Sequence, residues 1–273
     1  MNESIITYDE FCDLVTKHIK CGKEFYESLL INVIKNPSRY CGIFRLSNAK
    51  IKLMQNITQS NEIKFGDIIQ ELVTKYLEKL DYKFFDKKIK NNKLNIDQYF
   101  YDDNTIYIVE MKIRDDHDST KKIGQYDNFK RKIKLIRSLH SNKKHLDASI
   151  WFVDDSLIKN KNYYTNEIKK EKFDNTTLHL YYGDEFFKSL KNGQKVWHEL
   201  IELLTKYKIK NANNEIEIPD FGNSKQIFDA LLNLSPKYWN KLNSNQPQFE
   251  LLRKELFSSG NNFTKAKQLR IKI

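Results

Sequence analysis

Twelve residues separate Asp97 from Glu110, and Lys112 follows Glu110 at a spacing of two. Glu110 and Lys112 lie in a run with Ile106, Ile108 and Val109, whose β-branched residues predict a strand. Strand side chains alternate between faces, so Glu110 and Lys112 share one, with Cα atoms roughly 6–7 Å apart. The Asp102-Asp103-Asn104 turn predicts a hairpin that brings Asp97 alongside them. Two converging carboxylates beside a lysine can hold a hard divalent cation through oxygen ligands and position a water for attack. Charged groups on an otherwise apolar strand are costly unless partnered or solvated in a cleft. The same residues would also suit an antiparallel strand with one solvated face. Glu-x-Lys alone carries little, since Glu62-Ile-Lys64 is a second example, at a helix start with no strand carboxylate before it.

The elements that must position these residues are legible around them. Residues 62–80 predict an amphipathic helix with Phe65, Ile69, Leu72, Tyr76 and Leu80 on one stripe, which requires a sheet to pack on. Three strands follow, Tyr82–Ile89, Leu94–Tyr101 and Thr105–Ile113. After a polar loop, a helix from about Lys121 to Leu139 can turn Ile123, Phe129, Ile133 and Ile136 to the sheet, leaving Lys122, Lys130 and Arg137 for solvent or a polyanion. Two further strands are expected at Ala148–Val153 and Thr177–Tyr182, joined by a lysine-rich connector, with helices at Gly183–Ser189 and Lys195–Tyr207. This order describes a mixed α/β layer with buried central strands. Ahead of it, Tyr8–Lys20, Glu24–Ile34 and a segment around Ile51–Met54 read as separate helices. Behind it, Lys208–Glu215 is the best linker. Three helices are expected after that, Lys225–Leu234 capped by Ser224, one started by Ser235 and Pro236, and Gln248–Phe257, then a loose basic tail from Lys265 to Lys272. The division expected is a helical N-terminal arm over 1–60, a core over 61–207 and a helical C-terminal segment over 208–273 that can pack on the core as one unit.

Composition narrows the function classes. With 273 residues, 40% of them apolar and only 8 Gly and 4 Pro, the chain is a folded globule and not a disordered or fibrous one. The opening MNESIITYDEF has no basic, then apolar, signal pattern, and the longest apolar cluster, Ser28–Ile34, falls far short of the roughly 20 residues a membrane span needs. An intracellular, soluble protein is expected. Cys12, Cys21 and Cys41 show no metal-ligand spacing and are expected as buried or half-buried thiols. The aromatic C-terminal block of Phe221, Phe228, Tyr238, Trp239, Phe249 and Phe257 is expected in a core. Net charge is +11, and residues 112–145 alone hold eleven Lys/Arg against four Asp, a local +7. Such clustering is the footprint of a polyanion binder, although a solvated lysine-rich helix face explains it equally. Ser119, Thr120, Lys121 and Lys122 open the helix, where a hydroxyl cap, free N–H groups and lysines suit a phosphate. With Arg114 before them and Lys130 further along, they form the candidate polyanion-binding set.

Taken together, Ile96-Asp97, Glu110-Met-Lys112 and the Arg114–Gln125 loop leading into a helix resemble the PD-(D/E)xK nucleases, most closely type II restriction endonucleases. The resemblance covers about residues 62–185, with Ile96 in the place of the family's proline. It implies a restriction-endonuclease-like mixed β-sheet core flanked by helices, with helical N- and C-terminal segments. It further implies Mg²⁺ held by Asp97, Glu110 and the Met111 backbone carbonyl, with Lys112 orienting the attacking water. Glu71 resembles an accessory acidic residue, though pairing with Lys75 one turn on explains it as well. Gln125 matches a glutamine that some branches place near the metal, and is otherwise an exposed helix side chain. The implied activity is Mg²⁺-dependent, sequence-specific hydrolysis of double-stranded DNA leaving 5′-phosphates. A homodimer, a partner DNA methyltransferase and the cytoplasm of a prokaryotic cell go with it. A structure-selective repair or junction-resolving nuclease, or a non-catalytic DNA-binding protein on the same fold, are the alternatives.

Overall fold

The computed structural model describes residues 4–19, 22–86, 94–114, 119–140, 144–211 and 219–270. The elements run α1 (Tyr8–His18), α2 (Gly22–Lys35), α3 (Pro37–Tyr40), α4 (Ala49–Lys79), β1 (Lys83–Phe84), β2 (Gln98–Tyr101), β3 (Thr105–Lys112), α5 (Ser119–His140) and β4 (His145–Phe152). They continue with α6 (Lys161–Lys170), β5 (Thr176–Tyr182), α7 (Glu185–Ser189), α8 (Gln194–Lys210), α9 (Lys225–Asn233), α10 (Pro236–Leu242), α11 (Pro247–Leu256) and α12 (Asn262–Arg270). The chain divides into two compact units, one of Met1–Leu14 with Gly66–Lys210 and the other of Val15–Phe65 with Asn211–Ile273.

The first unit is built on one five-stranded sheet in the order β1-β2-β3-β4-β5. β1, β2 and β3 are antiparallel neighbours, whereas β3, β4 and β5 run parallel through the crossover helices α5 and α6. The hairpin forms where the turn residues stand: Asp102 Oδ1 accepts from the N–H groups of Asn104 (2.9 Å) and Thr105 (2.8 Å). On one face, Ile106, Ile108, Leu146, Ala148, Ile150 and Phe152 pack against Tyr126, Phe129, Ile133 and Ile136 of α5 and Tyr164 of α6. On the other, Trp151 stacks on Phe186 of α7 at 4.5 Å and donates its indole N–H to the Gly183 carbonyl (2.9 Å). Gly183 has φ +53°, a turn that suits glycine between β5 and α7. This is the expected mixed α/β sheet flanked by helices, the restriction-endonuclease-like arrangement.

In the second unit, α2, α3 and the first part of α4 share one core with α9 to α12, including Leu30, Val33, Tyr40, Leu53, Leu231, Leu252 and Leu256. Ser224 caps α9 as expected, its hydroxyl oxygen accepting from the Ile227 N–H at 3.3 Å. The C-terminal aromatics are core residues: Phe221, Trp239, Phe249 and Phe257 are buried, with Phe228 and Tyr238 packed against them. Cys41 is buried and Cys12 half-buried, while Cys21 lies outside the described residues.

Several local expectations are corrected. The segment around Ile51–Met54 and the 62–80 helix are one 31-residue helix, α4, because no proline interrupts it and Gly66 is tolerated. Its buried stripe is Ile68, Ile69, Leu72, Val73, Tyr76 and Leu77, and Phe65 is exposed. On α5, Ile123 is exposed and Tyr126 takes the place expected for it. The connector before β5 carries the helix α6. The supposed tail is helical through Arg270, whose guanidinium donates to the carbonyls of Leu231 (3.0 Å) and Leu234 (2.7 Å). The first expected strand is ordered as a pair only at Lys83–Phe84, and its end at 87–89 lies outside the described residues, as do 212–215 of the expected linker.

Candidate active site

β3 is the central strand that positions the site. Glu110 and Lys112 lie on the same face as Ile106 and Ile108, the face that α5 covers. The β2–β3 ladder ends at the Gln98↔Val109 pair. There the Asp97 carboxylate takes over the role of the ladder, its Oδ2 accepting from the Met111 N–H at 2.9 Å. A strand residue's N–H and C=O point to the same edge, so the Met111 carbonyl faces this edge too. α4 fixes the turn from behind. Gln70 Nε2 donates to the Asp97 carbonyl (2.7 Å), the buried Gln98 donates back to the Gln70 carbonyl (2.7 Å), and Thr74 Oγ1 donates to Gln98 Oε1 (2.9 Å).

The hairpin thus brings Asp97, Glu110 and Lys112 together, with one further group. Glu110 Oε1 accepts from Lys112 Nζ at 2.7 Å, and its Oε2 accepts from Lys132 Nζ of α5. All three of these side chains are largely withdrawn from water, at 14%, 13% and 6% exposure for Glu110, Lys112 and Lys132. Desolvation, reinforced by the Glu110 charge, raises the Asp97 carboxyl from 3.8 to about 6, despite the two lysines and the Met111 N–H. Burial also pushes Glu110 upward, but Lys112 and Lys132 outweigh it and hold the carboxyl below its usual range.

Lys132 is the residue that sequence reading missed, since it counts there only among the surface charges. Its signal was present: it lies on the helical phase of Phe129, Ile133 and Ile136, a lysine inside an apolar stripe. Gln70 and Gln98 were missed for lack of any comparable pattern.

The remaining candidates are placed around this cluster. Glu71 is half-buried on α4, next to Gln70. Gln125 is half-buried on α5 and accepts from the Tyr164 hydroxyl of α6 at 3.4 Å. Arg114 is half-buried just past β3, and Thr120 and Lys121 are exposed in the first turn of α5. Lys122 Nζ sits 4.9 Å from the Tyr163 ring centroid. Lys130 is held in ion pairs with Asp127 (3.2 Å) and Glu171 (3.1 Å). Arg137 is half-buried and donates to the Lys144 carbonyl (2.9 Å), so it is not the free surface charge expected. The Ser119 side chain and residues 115–118 lie outside the described residues.

A comparison with family models matches the chain to "Type II restriction endonuclease, HinfI" over residues 7–93 and 81–208. These spans take in the whole sheet and the three converging residues. The chain belongs to the HinfI family of type II restriction endonucleases. It is therefore a site-specific deoxyribonuclease, and its partner is DNA. No curated protein matches it, and no solved structure does. Among the described residues, no helix is long and apolar enough to cross a membrane.

Type II restriction endonucleases generally need a divalent metal ion. Among the described residues, no three His, Cys, Asp or Glu side chains converge into a ready-made metal group. The donor set here is smaller, two carboxylates and a main-chain carbonyl, all hard oxygens of the kind Mg²⁺ takes alongside water and phosphate. The upward shift of Asp97 beside Glu110 marks a pair that a cation would relieve. The residues fit such an ion.

Proposed function

We propose that this HinfI-family enzyme cuts double-stranded DNA in a Mg²⁺-dependent reaction of the PD-(D/E)xK type, leaving 5′-phosphates, with Asp97, Glu110 and Lys112 as its catalytic residues. The convergence of Asp97, Glu110 and Lys112 at the end of the β2–β3 ladder carries the reading. Asp97, Glu110 and the Met111 carbonyl would hold the metal, which when bound supplies positive charge at the scissile phosphate and acidifies water. Lys112 is directed by Glu110 Oε1 toward the same space. Its ammonium holds the attacking water and a non-bridging phosphate oxygen in line with phosphorus. Attack opposite the 3′ oxygen breaks the P–O3′ bond, leaving a 3′-hydroxyl and a 5′-phosphate. Arg114, just past β3, and Ser119, Thr120, Lys121 and Lys122, at the first turn of α5, contact the flanking backbone. Lys130 belongs to that surface with its charge already matched by Asp127 and Glu171. Glu71 and Gln125 serve as accessory residues.

A palindromic target would be met by a two-fold homodimer, paired in the cytoplasm of a prokaryotic cell with a DNA methyltransferase. The test is digestion of plasmid DNA by the full chain with Mg²⁺ or with EDTA, followed by ligation without prior kinase treatment. Discrete, Mg²⁺-dependent fragments that religate are expected. Cutting that persists in EDTA, or ends that ligate only after phosphorylation, would overturn the metal or the end chemistry. Cutting only at branched DNA would move the reading to a structure-selective nuclease.

A further inference from the structure

Among the described residues, Lys132 is the only charged residue that is buried, and Glu110 Oε2 receives its ammonium. Lys112 occupies the other oxygen of the same carboxylate. Both Glu110 oxygens thus already accept from an ammonium of the chain. Asp97, Glu110, Lys112 and Lys132 act on one another electrostatically and form a neutral set of two carboxylates and two ammoniums.

Resting on the reading of Asp97, Glu110 and Lys112 as the cleavage centre, we infer that Lys132 is an internal counter-ion that keeps Glu110 occupied in the free enzyme and so couples metal uptake to the arrival of DNA. A divalent ion approaching Glu110 competes with the two ammoniums already paired with it, and the set as a whole carries no net charge to draw the ion in. A DNA phosphodiester changes both terms. It adds a negative charge to the cluster and offers the displaced ammonium an oxygen to move to, a movement that the four-carbon lysine stem permits. Each ligand then strengthens the other by the same factor, because coupling between two sites is reciprocal. Lys132 is a positioning residue in this scheme, acting through Glu110.

The test uses Ca²⁺ as the metal probe, titrated calorimetrically into the full chain without DNA, together with DNA binding measured with and without Ca²⁺. The wild type is expected to take up Ca²⁺ weakly alone and to bind DNA at least about tenfold more tightly when Ca²⁺ is present. Lys132→Gln frees Glu110 Oε2 and leaves the cluster at −1. It is expected to bind Ca²⁺ without DNA about tenfold or more tightly than wild type, and to lose a matching part of the DNA-linked gain. Lys132→Arg keeps the charge and is expected to follow the wild type. Lys132→Met, which keeps most of the stem, replaces Lys132→Gln if thermal melting shows the latter unfolded. Equal DNA-free Ca²⁺ affinity in wild type and neutral variants would overturn the inference. So would wild-type uptake that is as tight without DNA as with it. Glu110→Ala distinguishes the two levels. If it retains Ca²⁺-stimulated DNA binding, the reading of the centre itself fails. If it loses that stimulation while the neutral Lys132 variants are unchanged, only the counter-ion role fails.

Discussion

Replacing Asp97 by asparagine should make the metal-free protein more stable while abolishing cleavage. The folded protein holds the Asp97 proton up to about pH 6, against an ordinary value of 3.8. Between those values the folded state binds more protons than the unfolded chain, so stability falls as pH rises and stays low above pH 6. A gap of roughly two in pKa, at about 1.36 kcal/mol for each, sets the ionisation cost on the order of 2–3 kcal/mol, with residual solvent contact lowering it. The asparagine side chain would carry no charge, and its carbonyl oxygen can still accept from the Met111 N–H. The advantage of Asp97→Asn should therefore be near zero at pH 4 and reach about 2 kcal/mol by pH 7. Urea denaturation of both proteins in EDTA across this range measures it, and the titrations of groups away from the cluster cancel in the difference. A variant equal to or less stable than wild type at pH 7, or an advantage that does not change with pH, would refute the reasoning.

Phe129→Ala removes a fully buried ring between α5 and the sheet, and should cost about 3–5 kcal/mol in chemical denaturation. Gly260→Ala would put a Cβ 2.2 Å from both the Gly222 carbonyl oxygen and Asn223 Oδ1, so it should destabilise the second unit by about 1–3 kcal/mol, read as a lowered melting temperature. Ser224→Ala removes the cap on α9 and should cost about 1 kcal/mol, with no effect on cleavage rate at temperatures where the protein stays folded.

The strands of the core were legible because Val109, Ile108 and their neighbours alternate or run together as buried strands do, and the Asp102-Asp103-Asn104 turn fixed the hairpin that brings Asp97 to Glu110. The continuity of α4 was not, since the polar stretch around Ser60 to Glu62 imitates a helix start and only tertiary packing decides that the helix runs through. Ile123 and Tyr126 show the same limit: both fit an apolar face, and only packing with the sheet and Tyr164 selects Tyr126. The shared core of α2 to α4 with α9 to α12 joins residues some two hundred positions apart, which no local period reports. At the site, Asp97, Glu110 and Lys112 could be named from spacing, whereas Lys132 was hidden by the ordinary expectation that lysine faces water. The charge environment of Glu110 is set partly by Lys132 from a different element, and sequence separation conceals that.

The central claim is tested most directly by assaying plasmid cleavage and DNA binding together for wild type, Glu110→Ala and Lys112→Ala. Discrete fragments from wild type alone, with cleavage by both variants reduced about 10³-fold or more while they still bind DNA and melt cooperatively, is the predicted result. Either folded variant cutting at a rate near that of wild type would contradict the assignment of this cluster as the active site.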